Sequence, residues 1–229
     1  VDIELQEGEN ILTATASAET GTTDPSDAVT VILDQTKPEL TVDTPEDRMK
    51  TNRETVTVEG KADDENLDWV KVNGQEASLA ADGAYSKRIM LDNGENKIQV
   101  EAQDKAGNKE QKTITVFAKF DAPPIDHLLP TEDLHLIAGE TVKIEMDSEP
   151  GLHPTFAIRM PLTNARAGLS DANELPMMEI GEGHYVGYWT ATSNLVAEGA
   201  EIEVIVTDDY GNESRKKAKG KLYINVPDE

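Results

Sequence analysis

Apolar and polar residues alternate along much of the chain. Thr55-Val-Thr-Val-Glu59, Thr141-Val-Lys-Ile-Glu145 and Ile202-Glu-Val-Ile-Val206 are the clearest cases. Period-two alternation puts one side-chain row in a core and the other in water, so these segments are predicted strands. The same criterion predicts strands at 1–5, 11–16, 28–33, 40–42, 69–72, 86–91, 97–102, 112–117, 184–190 and 222–226. Asn73-Gly74 follows one of them directly. Both residues tolerate positive φ, which a tight hairpin requires. No amphipathic helix longer than two turns is expected. Turn signals recur every ~8–12 residues, as in an immunoglobulin-like sandwich.

The pattern repeats. Ile98, Val100, Asp104, Gly107 and Asn108 recur at one constant offset as Ile202, Val204, Asp208, Gly211 and Asn212, with Ala102 against Val206. Gly8-Glu-Asn10 precedes Leu12, Ala14 and Ala16 as Gly94-Glu-Asn96 precedes Ile98, Val100 and Ala102. Repeats of this length are whole domains. The expected fold is therefore all-β, a tandem of immunoglobulin-like β-sandwiches. Its expected parts are an incomplete C-terminal portion at 1–36, a sandwich at 37–120 and a longer sandwich at 121–229. An insertion is expected near 161–179, where Gly168, Asn173 and Pro176 interrupt the alternation. Val1 falls in the middle of a repeat, as in an internal fragment. Ile3, Leu5, Leu12, Ala14, Val29 and Val31 of that portion need burial. The expected cover is the middle unit or, preferentially, a neighbouring copy of the chain.

Charge narrows the partners. The formal net charge is −24 over 229 residues. Nucleic acid is excluded as an expected partner, because phosphate binding needs clustered Lys and Arg. An anionic membrane or wall polymer is repelled unless a divalent cation bridges the surfaces. No apolar stretch is long enough to span a membrane. With no cysteine, disulfide frameworks and thiolate metal sites are ruled out.

The candidate chemistry is sparse. In the Asp-x-x-Gly-Asn turns, the Asp can accept backbone amides while Gly and Asn tolerate left-handed geometry. The expected role is a tight connection between the last two strands. The alternative is calcium, since Asp63, Asp64 and Glu65 of the second-to-third-strand loop should approach Asp104 and Asn108, an oxygen-only set. The spacing lacks the alternating acidic pattern of a dedicated calcium loop. Weak or no specific calcium binding, with solvated loops, is the expectation. His127, His135, His153 and His184 share no zinc-ligand spacing. No Gly-x-Ser-x-Gly elbow occurs, and Ser170 has no base to activate it. No catalytic, cofactor or metal residue is assigned. Trp69 and Trp189 are expected in the core, while Tyr85 and Tyr188 are candidates for exposure.

Gly139-Glu-Thr-Val-Lys-Ile-Glu145, Phe156-Ala-Ile-Arg-Met-Pro-Leu162, Asn173-Glu-Leu-Pro-Met177, Gly187-Tyr-Trp-Thr-Ala-Thr192 and Val206-Thr-Asp-Asp-Tyr-Gly-Asn212 resemble the C-terminal region of the bacillopeptidase F family. These are secreted subtilisin-like serine proteases. Val70-Lys-Val-Asn-Gly74 and Ala102-Gln-Asp-Lys-Ala-Gly-Asn108 resemble the immunoglobulin-like modules of many extracellular hydrolases, glucodextranase domain B among them. The resemblance implies a secreted parent that hydrolyses peptide bonds. The subtilisin Gly-Thr-Ser nucleophile motif and its Asp and His signatures are absent here, so no catalytic residue carries over. The implied role is a non-catalytic accessory region acting as spacer, stabiliser or docking surface. Its implied partners are the protease domain of the parent chain and an extracellular protein or glycan. An independent adhesin or carbohydrate-binding module is the alternative.

Overall fold

The computed structural model describes residues 2–161 and 173–226. All regular structure in these residues is strand, and no helix among them is long and apolar enough to cross a membrane. The chain divides into two compact units. One comprises Val1–Met49 with Arg53–Ala118, the other Lys50–Asn52 with Lys119–Glu229.

The first segment holds β1 (Gly8–Leu12), β2 (Ser17–Ala18), β3 (Gly21–Thr22) and β4 (Val29–Leu33). β1 pairs antiparallel with β4, setting Gly8 opposite Leu33 and Asn10 opposite Val31. The side chain of Asn10 donates to the carbonyls of Gln6 and Gly8 and accepts from the amide of Gln6. Asn96 makes the same three bonds with Asp92 and Gly94. The upstream echo in the sequence is thus a structural identity: β1 and β4 are the last hairpin of a repeat. The strand predicted at 1–5 is absent from the described residues there, and the one at 11–16 is shifted to Gly8–Leu12. The Asn10 side chain ties down the turn at Gln6–Gly8 where the strand begins, earlier than the apolar pattern suggested. Of the residues expected to need burial, Ile3, Ala14 and Val29 remain exposed and Leu5, Leu12 and Val31 are half-buried, while Ile11 and Ile32 lie exposed on the opposite face of the pair.

The middle sandwich contains β5 (Glu39–Leu40), β6 (Met49–Thr51), β7 (Thr55–Asp63), β8 (Leu67–Val72), β9 (Gln75–Glu76), β10 (Ser78–Leu79), β11 (Ala84–Met90), β12 (Gly94–Asp104) and β13 (Lys109–Ala118). They form sheets ordered β10-β11-β7-β5 and β6-β13-β12-β8-β9. Asn73 and Gly74 both take positive φ, at 48° and 77°. The β8–β9 hairpin therefore turns as the dipeptide predicts. Val58, Val70, Val72, Ile98, Val100 and Val116 alternate inward from both sheets and close the core.

The third segment contains β14 (Asp126–Leu129), β15 (Leu134–Leu136), β16 (Thr141–Asp147), β17 (Thr155–Arg159), β18 (Leu175–Pro176), β19 (Met178–Gly181), β20 (His184–Thr190), β21 (Ala197–Thr207) and β22 (Glu213–Ile224). The sheets run β14-β16-β20-β19 and β15-β22-β21-β17-β18. Strand for strand, this is the order of the middle sandwich. Of the expected insertion, 162–172 lies outside the described residues. Its later part is strand: Leu175–Pro176 pairs with β17 and Met178–Gly181 with β20. β22 begins at Glu213 rather than near 222, because its long Lys-rich run alternates little in hydropathy.

The third core gathers Ile144, Met146, Phe156, Tyr185, Ile202, Val204, Leu222 and Ile224. Gly187 belongs to it through what it lacks. A Cβ there would lie 2.5 Å from the Phe156 ring, so the ring packs directly on the β20 backbone.

Candidate functional site

Each sandwich ends in the same turn. Asp104 closes β12, and its Oδ1 accepts the amide of Asn108 at 2.8 Å while its Oδ2 accepts the Asn108 side-chain amide at 2.8 Å. The backbone closes around it through Asp104 N to Asn108 O and Gly107 N to Asp104 O. Asp208 is held alike: Oδ1 accepts Tyr210 N and Asn212 N, and Oδ2 accepts Asn212 Nδ2. The expected structural role of the Asp-x-x-Gly-Asn motif is realised at both positions. Asp104 is wholly buried and Asp208 nearly so. Burial pushes each carboxyl pKa up. The hydrogen bonds from Asn108 and the Gly107 and Ala106 amides, and from Asn212, Tyr210 and Lys119, outweigh it and hold both below the usual carboxylate range.

The Asn side chain of each turn does a second job. Asn108 Nδ2 donates to the carbonyl of Asp34 at 3.0 Å, the residue just after β4. Asn212 Nδ2 donates to the carbonyl of Lys119 at 2.9 Å, the residue just after β13. In both places the turn clamps the strand exit that leads into its own sandwich. The side chains at the two clamped residues differ. Asp34, Asp64 and Asp104 each offer a carboxylate oxygen within 4.8 Å of the others. Asp34 Oδ1 and Asp64 Oδ1 also accept the amides of Thr36 and Asn66. At the second place the Lys119 ammonium sits 2.6 Å from Glu149 and 3.3 Å from Asp208. Burial alone would lower the Lys119 pKa; hydrogen bonds and charge from Glu149 and Asp208 raise it.

Of the acids singled out in the sequence, Asp64 and Asp104 are brought together, while Asp63 and Glu65 are exposed. Asp34 was missed. Its signal was positional: it holds the place before the middle sandwich that Lys119 holds before the third. The histidines do not gather as a set. His127 and His184 present Nδ1 to the two oxygens of Asp147, at 2.8 and 2.6 Å. His135 stacks on Tyr223 with ring centroids 4.8 Å apart, and His153 is exposed. Ser170 lies outside the described residues.

The aromatics divide otherwise than expected. Trp189 packs against the third core, half-buried. Trp69 stands on the outer face of β8, alternating with buried Val70 and Val72, with the ammonium groups of Lys71 and Lys109 at 4.1 and 5.2 Å from its ring centroid. Those cations offset the cost of its partial exposure. Tyr85 is core, its hydroxyl donating to Thr41 O at 2.6 Å, and this burial raises its pKa. Tyr188 is 53% exposed.

Comparison with known proteins sharpens this picture. The chain is 58% identical over 222 residues to Bacillopeptidase F of Bacillus subtilis (strain 168). The two are homologous. The match takes in 97% of this chain and 15% of that protein, so the chain spans a small part of its relative. The family described as glucodextranase, domain B, matches residues 38–120, the middle sandwich. Among solved structures, the Clostridium thermocellum CbhA fibronectin(III)-like modules share 18% identity at a TM-score of 0.46, over 81% of this chain and 94% of that one. A tetra-tandem repeat in the extending region of a large adhesion protein shares 19% identity at a TM-score of 0.36, over 95% of this chain and 57% of that one.

Proposed function

We propose that this chain is a non-catalytic accessory region of a secreted subtilisin-like serine protease, serving as spacer, stabiliser or docking surface for the protease domain of its parent chain. The observation that carries this reading is the 58% identity across nearly the whole chain to a segment of Bacillopeptidase F that makes up only 15% of it. A stretch so short relative to the parent leaves ample chain for a separate catalytic domain. The chemistry of the best-defined cluster agrees. The buried acids Asp104 and Asp208 are tied into turns by their own hydrogen bonds, an arrangement that suits holding a backbone rather than moving protons. The setting that goes with this homology is extracellular.

Mass spectrometry of the native secreted protein tests the assignment. Peptides from this chain and from a subtilisin-type domain are expected in one polypeptide. A mature secreted product that contains these sandwiches and no protease domain contradicts it and favours a free-standing adhesin or glycan-binding module.

A further inference from the structure

We propose that His127, Asp147 and His184 form an acid-strengthened latch that fastens β14 to the third sandwich and loosens as the pH rises through neutrality. The inference goes beyond the accessory role and does not depend on it. Both imidazoles converge on one carboxylate. His127 Nδ1 lies 2.8 Å from Asp147 Oδ2, and His184 Nδ1 lies 2.6 Å from Asp147 Oδ1. Three strands meet there: His127 belongs to β14, Asp147 ends β16 and His184 opens β20. Asp147 and His184 are register partners, so their contact reinforces a pairing the ladder already makes. His127 is different. β14 is the edge strand of its sheet and meets β16 at Asp126–Asp147 and Leu129–Glu145, with the register broken between them. His127 sits in that break with a φ of 49°, left-handed backbone that a residue with a Cβ adopts at a cost. Its ring on Asp147 offsets part of that cost and spans the gap in the ladder.

The latch is an addition to the fold, because the middle sandwich is built without it. Tyr85 and Tyr185 occupy one place in the two sandwiches, each buried and each donating its hydroxyl to a backbone carbonyl. Tyr85 pairs with Gly60 and Ala84 with Lys61; Tyr185 pairs with Met146 and His184 with Asp147. Lys61 and Ala84 thus stand where Asp147 and His184 stand in the third sandwich, and no histidine precedes His127 in the chain. Charge sets the direction of the response. A charged imidazole bonds a carboxylate roughly twice as strongly as a neutral donor does, and imidazole is the side chain that gains its charge near about pH 6.5. Carboxylates and ammoniums keep their charge there. On the packed elements these are Asp126 of β14, the Lys143–Glu145 pair of β16, Glu149 with Lys119, and Lys216 of β22, which donates to Ile125 O. Glu179 of β19 accepts the amides of Gly151 and Gly183, and Glu182 is exposed in the turn after it. The bonds from His184 first and His127 second hold the Asp147 carboxyl below the usual carboxylate range. The latch therefore contributes most below the unfolded histidine value of about 6.5 and fades as the pH rises above it. It fails in acid only as the pH falls through the depressed Asp147 value.

Amide hydrogen exchange of the full chain, read strand by strand and corrected for the intrinsic pH dependence of exchange, tests the latch. Protection of Asp126–Leu129 should fall several-fold between about pH 5.5 and about pH 8. Protection of β5, the corresponding edge strand of the middle sandwich, should not change. His127→Gln should remove most of the β14 difference, and His127→Gln with His184→Gln all of it. Glutamine keeps a donor but does not titrate, so these variants read the charge and not the loss of a contact. His135→Gln and His153→Gln should keep the difference. Equal β14 protection at the two pH values in the wild type overturns the proposal. So does a difference that survives the double variant or disappears in His135→Gln.

Discussion

Asp208 accepts three hydrogen bonds from the turn that follows it and neutralises part of the charge on Lys119. Its carboxyl pKa is depressed in the folded chain, as is that of Asp104. A depressed carboxyl contributes stability that is fully present above the unfolded value of about 3.9 and is lost as the pH falls through the folded value. Urea midpoints of the third unit should therefore drop below about pH 4, and Asp208→Asn should flatten that acid limb while lowering the neutral plateau. An acid limb identical in wild type and variant would show that Asp208 does not govern it. Gly187 is the other position where one atom matters. Gly187→Ala drives a Cβ into the Phe156 ring and should destabilise the third unit by about 1–3 kcal/mol. Equilibrium unfolding measures this, and an unchanged midpoint would mean the ring moves freely.

Strands that face water on one side were legible before the fold was known. Thr55–Asp63 and Thr141–Asp147 announce themselves by alternation, and Asn73-Gly74 by its turn chemistry. Strands set by pairing rather than pattern were not. Met49–Thr51, Leu134–Leu136 and Leu175–Pro176 are two or three residues long, too short for a period to show. Tyr85 looked free because a tyrosine on a polar strand carries no local sign of burial. Only the fold reveals that its hydroxyl reaches Thr41 O. The acid cluster was half legible for a similar reason. Asp64 and Asp104 lie in one repeat, but Asp34 enters from the segment before it. The β1–β4 pair is the element with most left to satisfy. Ile11 and Ile32 are 66% and 70% exposed on one face of the pair and Val29 is 61% exposed on the other, and its open strand edges favour pairing with another copy. Light scattering should find the full chain self-associating and a chain starting at Lys37 monomeric. Monomers in both cases at high concentration would rule this out.

At the scale of the molecule, two sandwiches of identical strand order follow one closing hairpin of a third. Duplication preserved the topology, the Asp–Asn turn and its grip on the incoming strand, and varied the rest. The proposed spacer role follows from modules of this size, which generally carry a core of their own. The account then makes a sharp demand of the parent protease. Deleting this region should leave kcat/KM for a small chromogenic peptide within about two-fold, as the proposed accessory role requires. The half-life of the secreted enzyme or its retention at its extracellular site should fall. That paired measurement, peptide kcat/KM with and without the region, is the most direct test. A small-peptide kcat/KM that collapses ten-fold or more (about 1.4 kcal/mol of lost transition-state stabilisation) in a protease that remains folded would contradict the accessory assignment.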